Sequence, residues 1–541
     1  MRVLGINAVF HDPSAALVVD GRIVAAAEEE RFSRRKHGKR PVPFAAWELP
    51  EQAAAWCLQQ AGLSITDIDA VAYSYDPARA DDDGPATDPV WEHLRTHFAQ
   101  RAPYFLRSVF PDFDVSAFQH VRHHVAHAAS AGLAAPFGDC AVLVTDGRGE
   151  STSALAGEYR DGKLDVLSEV ALPHSLGLFY EDATEHLGFT RSSDEYKVMA
   201  LASYGSPRFA PELRLRVQYL ADGTFQTEHV DFGHFLPRRA RGDEFTAKHA
   251  DFAASVQLVT EEVLLRMCKW LHHRTGARNL AMAGGVALNC VANTRVLDES
   301  PFDNIWVQPA AGDAGTALGA ALAVAAEGGD AIEPMRTAAL GRGFTDAEIE
   351  AVLQRAKIRY ERPDDLAHAV AECLADNAIV GWFQGQAEFG PRALGQRSLL
   401  AHPGYSDNLE RLNDVKGREQ FRPIAPMVLA DRASRIFSRG PLPSPYMLFV
   451  HDVDPDWRHR IPAVTHVDGT ARIQTVSAAE HPVLARTLEQ FEALTGLPTV
   501  VNTSFNTAGR PIVDSPRDAL ECFGASPIDV LAIGPFLVRR P

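Results

Sequence analysis

Cysteine is scarce in this chain, and its six residues (Cys57, Cys140, Cys268, Cys290, Cys373 and Cys522) lie far apart. No C-x-x-C pair occurs among them, so neither a zinc knuckle nor a disulfide framework is suggested. Positive charge is also short: 53 Lys and Arg against 70 Asp and Glu leave a formal net charge of −17. Phosphate polymers and anionic bilayers are bound by clustered cations, so neither a nucleic-acid nor a membrane partner is expected. Long apolar runs are missing as well. The longest weakly polar stretch, Ala314 to Ala326, is rich in Ala and Gly and too short to span a bilayer. Met1-Arg2-Val3-Leu4 leads into a strand pattern without a signal-type apolar region, and the expectation is a reducing, cytoplasmic setting.

What is present describes a globular protein of several parts. A chain of 541 residues exceeds a single core, so two or three domains are expected. Val3 to Asn7, Ala15 to Val19 and Arg22 to Ala27 read as strands, with a tight turn at Asp20-Gly21. The pattern returns in Ala141 to Thr145, Ser153 to Tyr159 and Lys163 to Val170, with Asp161-Gly162 at the second hairpin. Two such units about 140 residues apart suggest a duplicated α/β core of the kind in which two lobes hold nucleotide phosphates. Between them, His123 and His127 stand four apart in an Ala-rich helical run, on one face, as a two-histidine metal grip requires. Such a pair alone is more often plain helix. Asp residues in suitable loops on both sides favour the metal reading.

Further along, the strand Leu280 to Ala283 ends in Gly284-Gly285, where backbone can approach a nucleotide closely. Asp313 sits at a strand-to-helix junction, able either to reach a cleft or simply to cap the helix. Residues 327–365 read as a connecting region with one helix, Asp346 to Ala356. That places domains at 1–341 and 359–541, with a connector at 342–358. After it, Arg392, Arg397, Arg411, Lys416, Arg418 and Arg422 concentrate cations within about thirty residues, embedded among turn-formers and apolar residues. In so acidic a chain this reads as a phosphate pocket.

The motifs are specific enough for a family. Phe10-His11-Asp12, Glu28-Glu29-Glu30-Arg31-Phe32, Lys36-His37-Gly38, His123-His124-Val125-Ala126-His127 and Ala283-Gly284-Gly285-Val286-Ala287-Leu288-Asn289 carry the N-terminal part. Gly390 to Leu399, Phe421-Arg422-Pro423, Asp468 to Val476 and Asn502-Thr503-Ser504-Phe505-Asn506 carry the C-terminal part. With them the chain resembles, nearly end to end, the NodU/CmcH-type O-carbamoyltransferases, which carbamoylate hydroxyls of antibiotics and nodulation factors. The resemblance implies an actin-like N-terminal domain similar to the tRNA threonylcarbamoyl transferase, and a C-terminal YrdC-like domain. It implies a metal, usually iron with Mn or Zn as alternatives, on His123, His127, Asp146 and Asp313; two imidazoles and two carboxylates suit those ions. It also implies ATP, with Mg2+, and carbamoyl phosphate as substrates of the C-terminal domain. These would yield carbamoyl-adenylate, from which the N-terminal domain carbamoylates a small-molecule hydroxyl.

Arg392, Arg397, Arg418, Arg422 and Arg472, with Lys416, are then the expected phosphate ligands, and Asn502 and Asn506 orient amide and phosphate groups. Asp12, Lys36, Gly147, Gly284, Gly285 and Asn289 are expected around the nucleotide. His11 and His37 are the expected catalytic bases, since His titrates near neutral pH. Residues 76–118 and 206–250 match nothing assignable and are expected to shape the acceptor pocket. A sugar kinase, a tRNA-modifying transferase and a nucleotide-binding regulator are the competing readings. The oligomeric state stays open, a homodimer being one alternative.

Overall fold

The computed structural model describes residues 1–38, 48–80 and 89–540, and of 89–92 only the main chain. Part of the 76–118 stretch, residues 81–88, thus lies outside the described residues. The chain divides into two compact units, Met1–Arg336 and Thr337–Pro541.

In the first unit, β1 (Arg2–Asn7), β2 (Ser14–Val19) and β3 (Arg22–Glu28) form an antiparallel meander. Then β4 (Ala70–Tyr73) pairs parallel to β1, and β5 (Phe118–His120) parallel to β4. A second meander, β6 (Cys140–Thr145), β7 (Thr152–Arg160) and β8 (Lys163–Ala171), follows. After the short ribbon of β9 (Val217–Tyr219) and β10 (Phe225–Thr227), β11 (Asn279–Ala283) pairs parallel to β6, and β12 (Asn304–Val307) to β11. The two sheet orders, β3-β2-β1-β4-β5 and β8-β7-β6-β11-β12, are one topology used twice. This is the duplicated, actin-like α/β core that the repeated strand pattern predicts. Each meander closes on the same turn chemistry. Asp20 and Gly21 have φ of 50° and 76°, and Asp161 and Gly162 have 48° and 74°, the pair of left-handed residues that a two-residue hairpin of matching twist demands.

Helices cover the sheets, so β1 and β6 are buried along nearly their whole length. The helix Ala314–Glu327 reaches unusually close to its neighbours because small residues line it. A Cβ on Gly319 would lie 1.7 Å from the Ala126 carbonyl oxygen on the helix His123–Gly132, and one on Gly5 of β1 would lie 1.8 Å from that of Ala317. The helix that begins after Asp313 is therefore locked both to β1 and to the helix bearing the histidine pair.

The second unit is built on a seven-stranded mixed sheet. Its order is Gln474–Val476, Ala425–Leu429, Thr499–Ser504, Arg397–Ala401, Val380–Phe383, Val530–Ile533 and Phe536–Arg539. The helices Leu366–Ala375 and Pro482–Thr495 pack together beside it, giving the α/β class expected for the YrdC-like part. Trp382, Phe491 and Phe505 are fully buried in its core, each withdrawn from water at a gain of about 2–3 kcal/mol. The stretch 342–358, read from sequence as a connector, belongs to this unit. Its helix, Asp346–Arg355, buries Ile349 and Leu353 in the same core, because apolar residues four apart give a short helix a face that needs covering. All six cysteines are buried. No helix among the described residues is long and apolar enough to cross a membrane.

Candidate functional site

His123 and His127 open the helix His123–Gly132, and both are fully buried, with ring centroids 4.7 Å apart. Asp146 follows directly on β6. Asp313 precedes the helix Ala314–Glu327 but makes no side-chain cap hydrogen bond, so the plain capping alternative fails and its carboxylate is aimed elsewhere. His123 Nε2 lies 3.4 Å from Asp146 Oδ2 and 3.7 Å from Asp313 Oδ1; His127 Nε2 lies 3.7 Å from each. Ligand atoms about 2.1 Å from one tetrahedral ion stand about 3.4 Å from each other, so this spacing is that of a coordination shell. Other signs agree. The Nε2 atoms of both imidazoles are buried without a hydrogen-bond partner, and so is His127 Nδ1, whereas buried polar atoms are normally satisfied. His123 Nδ1, 3.2 Å from the Ser74 carbonyl, donates there and turns Nε2 inward, as in metal-bound imidazoles.

The electrostatics ask for a cation. Burial would push the His123 imidazole down, yet Asp146 and Asp313 push it up to about 10. Burial opposes ionisation of Asp146 as well, but the two imidazoles hold it well below the usual carboxylate range. Two buried carboxylates side by side demand positive charge, and a divalent ion on the four side chains would supply it.

Three further residues were not singled out from sequence. His124 Nδ1 lies 2.7 Å from Thr152 Oγ1 and its Nε2 4.0 Å from Asp146; burial holds it well below its ordinary value, and so neutral. The buried Glu150 carboxylate accepts from the His123 amide at 2.7 Å and the Asp76 amide at 2.9 Å, fixing the start of the histidine helix. Gln257 exchanges side-chain hydrogen bonds with Asn289. The doubled histidine was a local signal for the first; the other two act through distant contacts that no spacing encodes.

The glycines and Asn289 take structural places. Gly284 has φ of 93°, and a Cβ there would lie 2.1 Å from the Thr145 carbonyl oxygen, so the close approach is to the protein's own strand. The Gly285 amide donates to Asp146 Oδ1 at 2.8 Å. Asn289 caps the helix Cys290–Glu299 by accepting from the Ala292 amide. Gly147 faces Glu181, whose Oε1 would lie 3.4 Å from an added Cβ.

A second constellation lies on the loop after β1. Asp12 receives His11 Nδ1 on Oδ2 at 2.9 Å and His37 Nδ1 on Oδ1 at 3.0 Å, the two imidazoles standing 4.3 Å apart. Burial works against the Asp12 carboxylate, but both imidazoles hold it well below its usual range. Asn7 Nδ2 pins the loop through the carbonyls of His11 and Asp12, and Glu30 accepts from the His37 amide at 2.7 Å while pairing with Lys36 at 3.5 Å. Lys36 thus serves the loop's shape. Asp12 and His37 are both left-handed, with φ of 44° and 61°, a strain that marks built sites. Phe10, one residue before His11, sets its ring edge-on to His123 at 4.9 Å, so the two constellations share one region.

In the second unit the expected phosphate ligands separate into two groups. Arg397 is fully buried; it donates to the carbonyls of Gln384, Gly385 and Arg342 and stacks 3.7 Å over Phe383. It braces the core. Asn502 is likewise enclosed, donating to the Ala393 carbonyl and to Gln474. The bond to Ala393 ties down the loop that carries Arg392, as does buried Glu388, which accepts from the amides of Leu394, Gln396 and Arg397. Lys416 donates to Ser504 Oγ at 2.9 Å and to Asn506, joining the 413–422 and 504–506 segments. Arg418 is oriented by Asn413, and Arg422 lies 3.6 Å from Glu419. Arg472 neighbours His466, which burial pushes down to about 4 with Arg472 adding to it.

Family models meet this chain at both ends: Carbamoyltransferase N-terminus over residues 2–83 and 90–322, and Carbamoyltransferase C-terminus over 371–540. The uncharacterized protein sll1178 of Synechocystis sp. is 38% identical over 99% of this chain and 96% of its own length. Nodulation protein NolNO of Sinorhizobium fredii is 37% identical over 99% and 80%. Nodulation protein NolO of Bradyrhizobium diazoefficiens is 40% identical over 78% and 79%. With both of its parts matched and relatives above 30% identity along most of its length, the chain belongs to the carbamoyltransferase family.

Proposed function

We propose that this carbamoyltransferase works in two stages divided between its units: ATP-dependent activation of carbamoyl phosphate in Thr337–Pro541, and transfer to a small-molecule hydroxyl in Met1–Arg336. What supports the transfer stage is one observation, the Asp12-bridged imidazole pair on a loop whose Phe10 packs against His123. A hydroxyl attacking a carbamoyl carbon must lose its proton. An imidazole whose Nδ1–H is held by a carboxylate offers Nε2 to take it. His11 and His37 are the two candidates. His123, His127, Asp146 and Asp313 would hold a divalent metal, Fe2+ first by donor set and Mn2+ or Zn2+ next. When bound, it supplies Lewis-acid stabilisation of phosphate charge.

For activation, Arg392, Arg418, Arg422 and Arg472 are the cations left for ATP, its Mg2+ and carbamoyl phosphate once Arg397 is assigned to the core. Lys416 and Asn506 shape the segment that presents Arg418. Carbamoyl phosphate would first give up its phosphoryl group to water as inorganic phosphate, and an oxygen of the carbamate left behind would attack the α-phosphorus of ATP, breaking the bond to the β-phosphate and giving carbamoyl-adenylate and pyrophosphate. Arginine forks can hold this charge in fixed geometry. The test is to incubate the enzyme with ATP, carbamoyl phosphate and a panel of hydroxylated sugars and polyketides, followed by mass spectrometry. Carbamoylated product that requires both ATP and carbamoyl phosphate is the expected result. Product formed without ATP, or pyrophosphate released without carbamoyl phosphate, would overturn the two-stage reading.

A further inference from the structure

His37 has a partner that neither its motif nor its neighbours in sequence announce. Ser193, 156 positions away, places Oγ 2.8 Å from His37 Nε2. The arrangement Asp12–His37–Ser193 is therefore a carboxylate, an imidazole and a hydroxyl in line, at 3.0 and 2.8 Å, the geometry that draws a proton from an alcohol. Its turn is firmly held. Ser192 is left-handed at φ of 57° and its amide donates to Glu195 Oε1 at 2.7 Å, while the Thr190 amide donates to Asp194 at 3.0 Å. A backbone strain of about 1 kcal/mol persists only where the surroundings enforce it.

We propose that Ser193 is a positioning residue of the transfer site: its hydroxyl occupies, until an acceptor arrives, the place on His37 from which the acceptor hydroxyl gives up its proton, and so keeps water out of that place. The inference rests on the two-stage reading above. Any hydroxyl 2.8 Å from Nε2 stands where a substrate hydroxyl must stand to be deprotonated there. The site is also open enough for water to compete, since the His37 and Asp12 side chains are 24% and 29% exposed. A water in that position would form an O–C bond to the activated carbamoyl carbon and give its proton to His37 Nε2. The C–O bond to the adenylate phosphate would break, with its electron pair leaving on AMP. The resulting carbamic acid falls apart to ammonia and carbon dioxide, and one ATP is lost without product. Ser193 is tied to the imidazole at 2.8 Å, so it would block this loss while remaining displaceable by a better-held acceptor.

The probe is water itself, with no acceptor added. ATP-dependent ammonia release from carbamoyl phosphate is measured for the parent, Ser193→Ala and Ser193→Thr, alongside metal content and thermal midpoint to confirm folding; Ser193→Gly replaces the Ala variant should that one not fold. Ser193→Ala is expected to release ammonia severalfold faster than the parent, and Ser193→Thr, which keeps the hydroxyl, to stay near the parent rate. Unchanged or slower release from Ser193→Ala overturns the inference. So does a carbamoyl group found by mass spectrometry on Ser193 of the parent, which would make it a nucleophile. A parent that forms no carbamoyl-phosphate-dependent pyrophosphate refutes the two-stage reading, and this inference with it. A parent that does form it, with no effect of Ser193→Ala, refutes this inference alone.

Discussion

Gly285 and Asp146 divide the work of one carboxylate: the Gly285 amide holds Oδ1 at 2.8 Å, which leaves Oδ2 turned toward the two buried imidazoles. A carboxylate oriented by main chain is a fixed ligand, because no side-chain rotation can withdraw it without breaking that bond.

The metal prediction follows from this tetrad. His127→Ala should lower metal content by about tenfold or more at limiting metal, measured by elemental analysis against the parent. Chelation of the parent should also lower its thermal midpoint, since removing the cation leaves two buried carboxylates facing each other. Full retention of metal in both His123→Ala and His127→Ala would end the assignment.

The division of labour between the units predicts a split in partial reactions. Arg418→Ala or Arg472→Ala should slow carbamoyl-phosphate-dependent pyrophosphate release by about a hundredfold or more, as loss of a charge-stabilising donor does. His11→Ala should spare that release and slow acceptor carbamoylation by about 10²–10⁴. Arg397→Ala should instead lower the thermal midpoint, because its guanidinium holds main-chain carbonyls in the core. Reversed effects of His11→Ala and Arg472→Ala on pyrophosphate would exchange the roles of the units.

Packing at Gly319 predicts a coupled defect. A Cβ there would meet the Ala126 carbonyl oxygen at 1.7 Å and Ser130 N at 2.8 Å, so Gly319→Ala must push the histidine helix off the helix that follows Asp313. Overpacking of this kind costs about 1–3 kcal/mol, and it should reduce metal content too. Gly138→Ala, where an added Cβ meets nothing within 4 Å, is the control and should stay within about 0.5 kcal/mol. Equal melting and metal content in both variants would contradict the packing argument.

Glu29 predicts a pH dependence of stability. It is 4% exposed, and burial raises its carboxyl from 4.5 to about 7 although Ala53 and Gln52 donate to it. Between those values the folded state keeps a proton that the unfolded chain has released, so stability falls as pH rises through this window and stays low above it. The effect is on the order of 3 kcal/mol. Moving from about pH 5 to about pH 8, Glu29→Gln should gain stability relative to the parent by up to that amount in urea unfolding. Parallel pH profiles would refute it.

Much of the first unit was legible in the sequence because its signals are local. Asp-Gly turns, a histidine pair at helical spacing and Asp residues at strand ends each declare themselves within a few positions. What spacing could not convey was the destination of a side chain. Asp313 looked equally like a cap, Asn289 proved to be one, and Arg397 turned from a supposed pocket into the core. Glu150, Glu388 and Ser193 went unnoticed because their partners are set by tertiary contacts, the last across 156 positions. The 342–358 stretch misled for a related reason: polar surroundings suggested a linker, while Ile349 and Leu353, four apart, were enough to dock its helix.

The tetrad also bears on when a growing chain could first take up an ion. His123 and Asp313 are 190 positions apart (313 − 123), so until most of Met1–Arg336 has been made the chain displays only the histidine pair and Asp146. An incomplete set of this kind would favour copper or nickel over iron by intrinsic affinity. The carboxylate that completes the set arrives with the finished fold, on a helix locked in by the Gly319 contact. Discrimination among metals would thereby be postponed until the chain could exercise it, and the supply around the finished protein, rather than that around the ribosome, would decide which ion is kept.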